Sequence, residues 1–226
     1  MLDPDKPSRI TIVGANESGK SVLARYFWNT WPYDRGVIDP TGDADAGDDV
    51  RDIQPPFPQR FPASIDDDGR RVSLRYVPDA GSPTYLDDMD RFVGMCLRHP
   101  WERCLLWDDD VTEVWRVNRT PPNARRALRT SRHHGLSWLL CGPRPIGVDP
   151  LVLAQANWVY VFDLPNPADR RRVADSIGFD PAAFDDAVAG LGRFEYLRYD
   201  KANKDLAHFP PLPPYRPAAP ADEAAG

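Results

Sequence analysis

The sequence predicts an α/β fold, a mostly parallel central sheet with helices on both faces. Three observations predict it. Short β-rich runs alternate with helical stretches along the 226 residues, the pattern of strand–helix–strand units. A glycine-rich G-x-x-x-x-G-K-[ST] motif, Gly14-Ala15-Asn16-Glu17-Ser18-Gly19-Lys20-Ser21, joins the first strand to the first helix. The later strands, such as Cys104-Leu105-Leu106-Trp107, are continuously apolar, as strands covered on both sides are.

The elements are read in order. Ile10–Val13 is the first strand and Gly19–Thr30 the first helix. Gly36–Asp39 is the second strand. A loop rich in Pro, Asp and Gly runs from Pro40 to Gly69; loops this long are unusual inside a compact domain, so part of it is expected to be mobile. Arg71–Val77 alternates and is the third strand. Thr84–Leu97 has helical spacing, and Arg103–Trp107 is a buried strand ending in three aspartates, Asp108 to Asp110. Thr112–Ser131 is expected to be helical on either side of a break at Pro121-Pro122, where proline removes a backbone donor. Leu136–Cys141 is a buried strand, Leu151–Gln155 a short helix, and Trp158–Phe162 a strand. Pro167–Ile177 and Pro181–Leu191 are helices, and Arg193–Tyr199 is the last strand. These make one domain over residues 1–208. From Phe209 the chain is rich in Pro and Ala and is expected to be a disordered tail, 209–226.

Composition excludes several classes. Apolar residues make up 42% and charged residues 27%, a globular balance. No run of eighteen apolar residues exists, so no membrane span is expected. The start, Met1-Leu2-Asp3-Pro4-Asp5-Lys6, lacks the apolar stretch of a signal peptide. Cys96, Cys104 and Cys141 lie in apolar surroundings without metal-ligand spacing and are expected to be reduced core residues. The net charge of -6 argues against general nucleic-acid affinity, but a local basic patch still binds DNA.

The glycine motif is a P-loop in the strand–turn–helix context that its chemistry needs. Gly14, Ala15, Asn16, Glu17, Ser18, Gly19, Lys20, Ser21 and Val22 are the nucleotide-binding candidates. Backbone N–H groups close around phosphate oxygens, and the helix N-terminus adds partial positive charge. Lys20 is expected to reach the β- and γ-phosphates of ATP, and the Ser21 hydroxyl to bind Mg2+. Four apolar residues followed by Asp108-Asp109 have the Walker B pattern. Asp108 is assigned to the metal and Asp109 to the attacking water. Asp110, Glu113 and Glu17 are rivals for the water, because the usual residue there is the longer Glu.

Three further segments narrow the family. Val37-Ile38-Asp39-Pro40-Thr41-Gly42-Asp43 resembles the segment after the second strand of HerA-type ATPases. Ser131-Arg132-His133-His134-Gly135-Leu136-Ser137 resembles the step into the sensor strand of FtsK, HerA and conjugative coupling ATPases. Arg144-Pro145-Ile146-Gly147-Val148-Asp149-Pro150 with Leu153-Ala154-Gln155-Ala156-Asn157 resembles the stretch that follows that strand. With the P-loop, the resemblance runs in order from Arg9 to Phe162. It implies a RecA-like P-loop NTPase core that assembles as a homo-oligomeric ring, commonly a hexamer, and pumps double-stranded DNA through its centre. It also implies an arginine finger acting across the subunit interface, for which Arg132 is the candidate by motif position. The family carries Gln before its Arg-Pro pair, where this chain has Pro143. Proline has neither a side-chain amide nor a backbone N–H, so Arg144 or Gly142 would have to replace it as γ-phosphate sensor.

Arg116, Arg119, Arg125, Arg126, Arg129 and Arg132 fall in a window without an acid. Arg119, Arg125, Arg126 and Arg129 are the candidate DNA contacts, tracking phosphates without reading sequence. The alternative is a solvated face that pairs with acidic loops. His133 and His134 have no metal-ligand partners in the sequence, and Trp28, Trp31 and Trp158 are read as core or interface anchors. A bare ATPase core of this length resembles the genome-packaging ATPases of tectivirus-like, internal-membrane viruses. That resemblance implies capsid vertex or portal partners and a place in the host cytoplasm or on the virion. The alternatives are a plasmid- or defence-associated HerA-type translocase and an ATP-binding assembly switch with little turnover.

Overall fold

The computed structural model describes residues 2–47, 49–62, 71–101, 103–111, 115 and 120–213. Among them, nine strands form one sheet. The strands are β1 (Arg9–Val13), β2 (Arg35–Ile38), β3 (Arg51–Asp52), β4 (Ser73–Tyr76), β5 (Cys104–Asp108), β6 (Leu136–Gly142), β7 (Trp158–Val161), β8 (Tyr196–Asp200) and β9 (Asp205–Phe209). The helices are α1 (Lys20–Thr30), α2 (Tyr85–Leu97), α3 (Pro122–Thr130), α4 (Pro150–Ala154), α5 (Pro167–Ile177) and α6 (Pro181–Ala189). A 3-10 turn, Ser131–His134, leads into β6.

The sheet order is β3-β4-β2-β5-β6-β1-β7-β8-β9. From β3 to β7 every pairing is parallel, and β8 and β9 add an antiparallel edge. The central strands β1, β5 and β6 are buried along their whole length, which is why they read as unbroken apolar runs. Strand β6 lies between β1 and β5, pairing Val13 with Gly142 on one side and Asp108 with Leu140 on the other. The phosphate loop and the acidic end of β5 are therefore one strand apart, at the same edge of the sheet.

Alternation along the strands sorts the two faces. Ile10, Ile12, Leu105, Trp107, Tyr160 and Phe162 pack with Leu23, Ala24, Phe27 and Trp28 of α1. Cys104, Leu106, Trp138 and Leu140 pack with α2, α3 and α4 on the other side. Val159, Val161, Leu197 and Tyr199 pack with α5 and α6. The α1 face is finished by non-helical chain: Ala44 and Ala46 are buried there, and Phe209 and Leu212 cover its edge.

Three expectations change. In the first half of the Pro40–Gly69 loop, residues 40–47 and 49–54 are tied to the fold. Buried Arg35 stacks on Trp28 at 4.4 Å, donates to Trp28 O at 2.7 Å, and holds both Asp49 oxygens at 2.7 and 3.0 Å. Trp28 Nε1 donates to Ala46 O at 2.8 Å, and β3 pairs with β4. Residues 63–70 of that loop lie outside the described residues. The strand expected at Arg193–Tyr199 runs Tyr196–Asp200, because Gly192 and Glu195 form a turn, and it is followed by a further strand, β9. The chain also continues past residue 208 as structure. Phe209 ends β9 and stacks on Tyr196 at 5.4 Å and 7°; residues 214–226 of the expected tail lie outside the described residues. The cysteines are free and buried, as expected.

Candidate nucleotide and nucleic-acid sites

The phosphate loop follows β1 and is pinned from below. Ala15 N–H donates to Asp163 O at 2.7 Å, and Ser18 N–H to Ala15 O at 3.3 Å. A Cβ on Gly14 would stand 2.6 Å from Phe162 Cβ and 2.8 Å from Ser18 Oγ, so only glycine lets the loop lie against the end of β7. Gly19 has φ +109, the left-handed region, as it turns the chain into α1. Glu17 also has positive φ, at +60, and stands exposed at the loop tip.

Helix α1 starts without a capping side chain and without an acid in its first turn. Its first N–H groups are orphan donors beside the positive end of the helix dipole, which is the anion-binding arrangement. Lys20 Nζ turns into the loop and donates to Ala15 O at 2.7 Å. Burial lowers the Lys20 pKa, while nearby Cys141, Asp109 and Asp110 act to raise it. Ser21 and Val22 are exposed at the mouth, and Ser18 Oγ is buried with no hydrogen-bond partner.

The two acids at the end of β5 point to opposite faces. Trp107 packs against Trp28 of α1 at 5.9 Å, so the next residue, Asp108, faces away. Asp108 is fully buried, and one of its oxygens accepts a short hydrogen bond from Trp115 Nε1. Trp115 packs edge-on to Trp138, in the core under α2 and α3. Burial pushes the Asp108 pKa well up. Trp115 takes one Asp108 oxygen and Oδ1 is left without a partner, while the strand's alternation turns this carboxylate to the face opposite Trp107. Asp109 is on the Trp107 side, toward α1. Its N–H bonds Ile38 O at 3.1 Å, and its carboxyl is felt by Lys20, Asp39 and Asp110. Burial first, then Asp39 and Asp110, push its pKa up to about 6.

Sequence reasoning left Asp39 out of the site. It is fully buried; Oδ2 accepts Ala44 N–H at 3.2 Å and Oδ1 has no partner. The signal was present in the Ile38-Asp39-Pro40-Thr41-Gly42 segment. Among the described residues no three His, Cys, Asp or Glu side chains form a metal cluster. Mg2+ needs none, since it binds through one or two carboxylates plus phosphates and water. The acids beside Lys20 and the orphaned Asp39 oxygen fit that demand. Glu113 lies outside the described residues.

At the end of β6, Arg144 Nε bonds buried Asp169 Oδ2 of α5 at 3.1 Å, and Ile146 N–H bonds Asp169 Oδ1 at 3.2 Å. Arg144, one of the two residues expected to stand in for the sensor, is thus paired with α5.

Arg132 is at the other edge of the sheet. It lies in the 3-10 turn before β6, exposed, and its charge acts on Arg9 at the start of β1. It does not join Lys20 and Asp109 within one chain. Helix α3 buries Ala124, Ala127 and Leu128 and turns Arg125, Arg126 and Arg129 to solvent. Its N-terminus is capped by Asp90 of α2, which accepts Ala124 N–H at 2.9 Å and Asn123 N–H at 3.2 Å. The three arginines, with Thr120, Pro122 and Thr130, line an open cleft of about 510 Å³. None of them pairs with an acid among the described residues. Arg116 and Arg119 lie outside those residues.

No family model matches the chain, and no curated protein matches it. Solved structures do. The genome packaging NTPase B204 of Sulfolobus turreted icosahedral virus 2, in complex with sulfate, superposes with a TM-score of 0.74 at 19% identity, over 95% of this chain and 100% of that one. The same protein in complex with AMPPCP gives 0.72 at 19% identity, over 93% and 100%. The pCW3 conjugation coupling protein TcpA, in its monomer form with ATPγS, gives 0.57 at 14% identity, over 92% of this chain and 61% of that one. The chain has the P-loop NTPase fold shared by these packaging and coupling proteins, the fold that its resemblance to FtsK and HerA ATPases predicts.

Proposed function

We propose that the chain is an ATPase that moves double-stranded DNA, working as a ring in viral genome packaging. One observation carries the ATPase part. An uncapped P-loop helix, Lys20, and the acids Asp39 and Asp109 meet at one edge of the sheet. That set supplies donors for the phosphates, a cation for their charge and a carboxylate for metal or water.

In this reading Lys20 and the loop N–H groups hold the phosphates, and Ser21 and Asp109 hold Mg2+. The ion, when bound, neutralises charge that develops on the phosphates. Asp39, Asp110 and Glu17 are the candidates to orient water. Asp108 holds Trp115 in place. Arg132 serves a neighbouring copy, since its own P-loop is at the far edge of the sheet. An arginine finger of that kind accelerates hydrolysis by about 10³–10⁵.

The DNA part rests on α3. Its three arginines sit on one rigid, capped face, and such a face suits phosphate tracking. The packaging role rests on likeness of fold and extent to B204. A place in the host cytoplasm or on the virion follows from that role, and no described helix is long and apolar enough to cross a membrane.

The test is steady-state ATPase activity with and without duplex DNA, for wild type and Lys20→Ala. Wild type is expected to hydrolyse ATP and to be stimulated by DNA, and Lys20→Ala to lose ATP affinity and turnover. Lys20→Ala turning over at the wild-type rate would refute the P-loop assignment. Tight ATP binding with no turnover under either condition would favour the assembly switch, in line with Pro143 at the sensor position.

A further inference from the structure

The face of the sheet under α1 holds a buried donor that packing does not use. Trp107 is the last apolar residue of β5, fully buried and packed against Trp28 at 5.9 Å. Its Nε1 is buried without a hydrogen-bond partner. The indoles of Trp28 and Trp115 do find partners: Trp28 Nε1 donates to Ala46 O at 2.8 Å, and Trp115 Nε1 to Asp108 Oδ2. A buried donor left unmade is costly, so each one in a folded protein needs a reason. Trp31 and Trp138 share that state. What sets Trp107 apart is the group beside it.

The strand order puts this donor among the acids of the nucleotide site. Trp107 pairs in register with Val37 of β2 and Leu139 of β6. The ladder continues one residue past β5, where Asp109 N–H bonds Ile38 O at 3.1 Å. Alternate residues of a strand share a face. Asp109 therefore follows Trp107 on the α1 face, with Asp39 and Cys141 on the strands either side. Burial pushes the pKa of the Asp109 carboxyl and of the Cys141 thiol up; the indole N–H opposes that in both, and so stands beside both, yet it bonds neither. Of the two, a carboxylate is much the stronger acceptor.

We infer that Trp107 is a positioning residue, whose indole N–H donates to one oxygen of the Asp109 carboxylate when the nucleotide site is filled and leaves the other oxygen for Mg2+. The inference rests on the nucleotide-binding reading above, in which Asp109 holds the ion. A carboxylate that holds an ion is itself oriented by hydrogen bonds, and losing such a support costs about 10- to 100-fold in metal affinity or activity. An indole suits the task, because it carries a donor and no acceptor and cannot compete for the ion. Its ring is already seated against Trp28.

The test is proton–nitrogen NMR of the wild-type chain before and after adding Mg2+ and AMPPCP, with the Trp107 indole assigned sequentially. The indole proton is expected to move downfield as a hydrogen bond forms, together with shifts in the amides of Gly14–Ser21. In parallel, Trp107→Phe keeps a ring against Trp28 and drops the N–H, and its thermal melt reports its folding. It is expected to bind ATP without Mg2+ within about twofold of wild type, and to lose about 10- to 100-fold in Mg2+ affinity and in kcat/KM. Loop amides that move while the Trp107 indole stays put overturn the inference, whether or not the variant folds. So does a folded Trp107→Phe with wild-type kcat/KM, or one that loses metal-free ATP binding as severely as Mg2+ affinity, the mark of a merely structural role. Loop amides that do not move overturn the nucleotide reading, and the inference with it.

Discussion

Replacing Asp109 with Asn is expected to stabilise the protein while disabling it. The Asp109 carboxyl is raised from 3.8 to about 6, mainly by burial and then by Asp39 and Asp110. Between those two values the native state binds the proton more tightly than the unfolded chain does. Stability therefore falls as pH rises through that window, and it stays lowered above about pH 6. Each unit of pKa is about 1.4 kcal/mol, so the charged carboxylate costs the native state up to about 3 kcal/mol. Asparagine keeps the shape and removes the charge. At pH 8, Asp109→Asn is expected to gain about 1–3 kcal/mol, which for a domain of this size is a rise in Tm of about 2–12 °C. Near pH 4 the wild-type carboxyl is protonated when folded, and the gain should nearly vanish. Thermal melts of both proteins at the two pH values measure this. Wild-type kcat/KM should show an acid limb near pH 6, the value in the nucleotide-free protein, as Asp109 must be ionised to hold Mg2+, and the variant should turn ATP over poorly. An unchanged or lower Tm for Asp109→Asn at pH 8, or an equal gain at both pH values, refutes the placement of Asp109 among acids at a buried phosphate site.

Two further expectations concern the arginines. The double variant Arg125→Ala/Arg126→Ala should flatten the slope of log affinity against log salt for duplex DNA by roughly two per subunit engaged, at about 0.9 per phosphate contact, and should lose DNA stimulation of the ATPase; an unchanged slope and stimulation would make α3 an interface or surface feature. Arg132→Ala should bind nucleotide normally and fail to turn it over, and mixing it with Lys20→Ala subunits should restore some activity at interfaces that pair an intact loop with an intact arginine. Mixed rings seen by native mass spectrometry without any recovery would argue against a finger in trans.

The parallel core was legible because each central strand is buried on both faces and so had to be apolar throughout, and the phosphate loop because its glycines, lysine and serine are contiguous and flanked by the right elements. The described bounds of β1, α1, β5, β6 and α5 follow the sequence reading closely. Other features depended on partners remote in the chain. The place of Asp49 came from Arg35, whose burial nothing local announces. Strand β9 exists because β8 offers it an edge and Tyr196 a ring to stack on; its own sequence, followed by prolines, gives little sign of it.

The site divides in the same way. Sequence alone determined that a phosphate-loop motif occupies Gly14–Ser21, that a carboxylate pair ends a buried strand, and that arginines cluster between that strand and the next. Only the tertiary structure decided which carboxylate faces the α1 side of the sheet. Adjacent residues on a strand face opposite sides of its sheet, so the choice between Asp108 and Asp109 depends on which face α1 covers. It also decided that Asp39 joins them, that Arg132 is beyond reach of its own loop, and that Phe162, Phe194 and Leu212 meet beside Gly19. Those residues come from separate crossings of one sheet edge, and proximity across a sheet is fixed by strand order and facing, which no local stretch of sequence encodes.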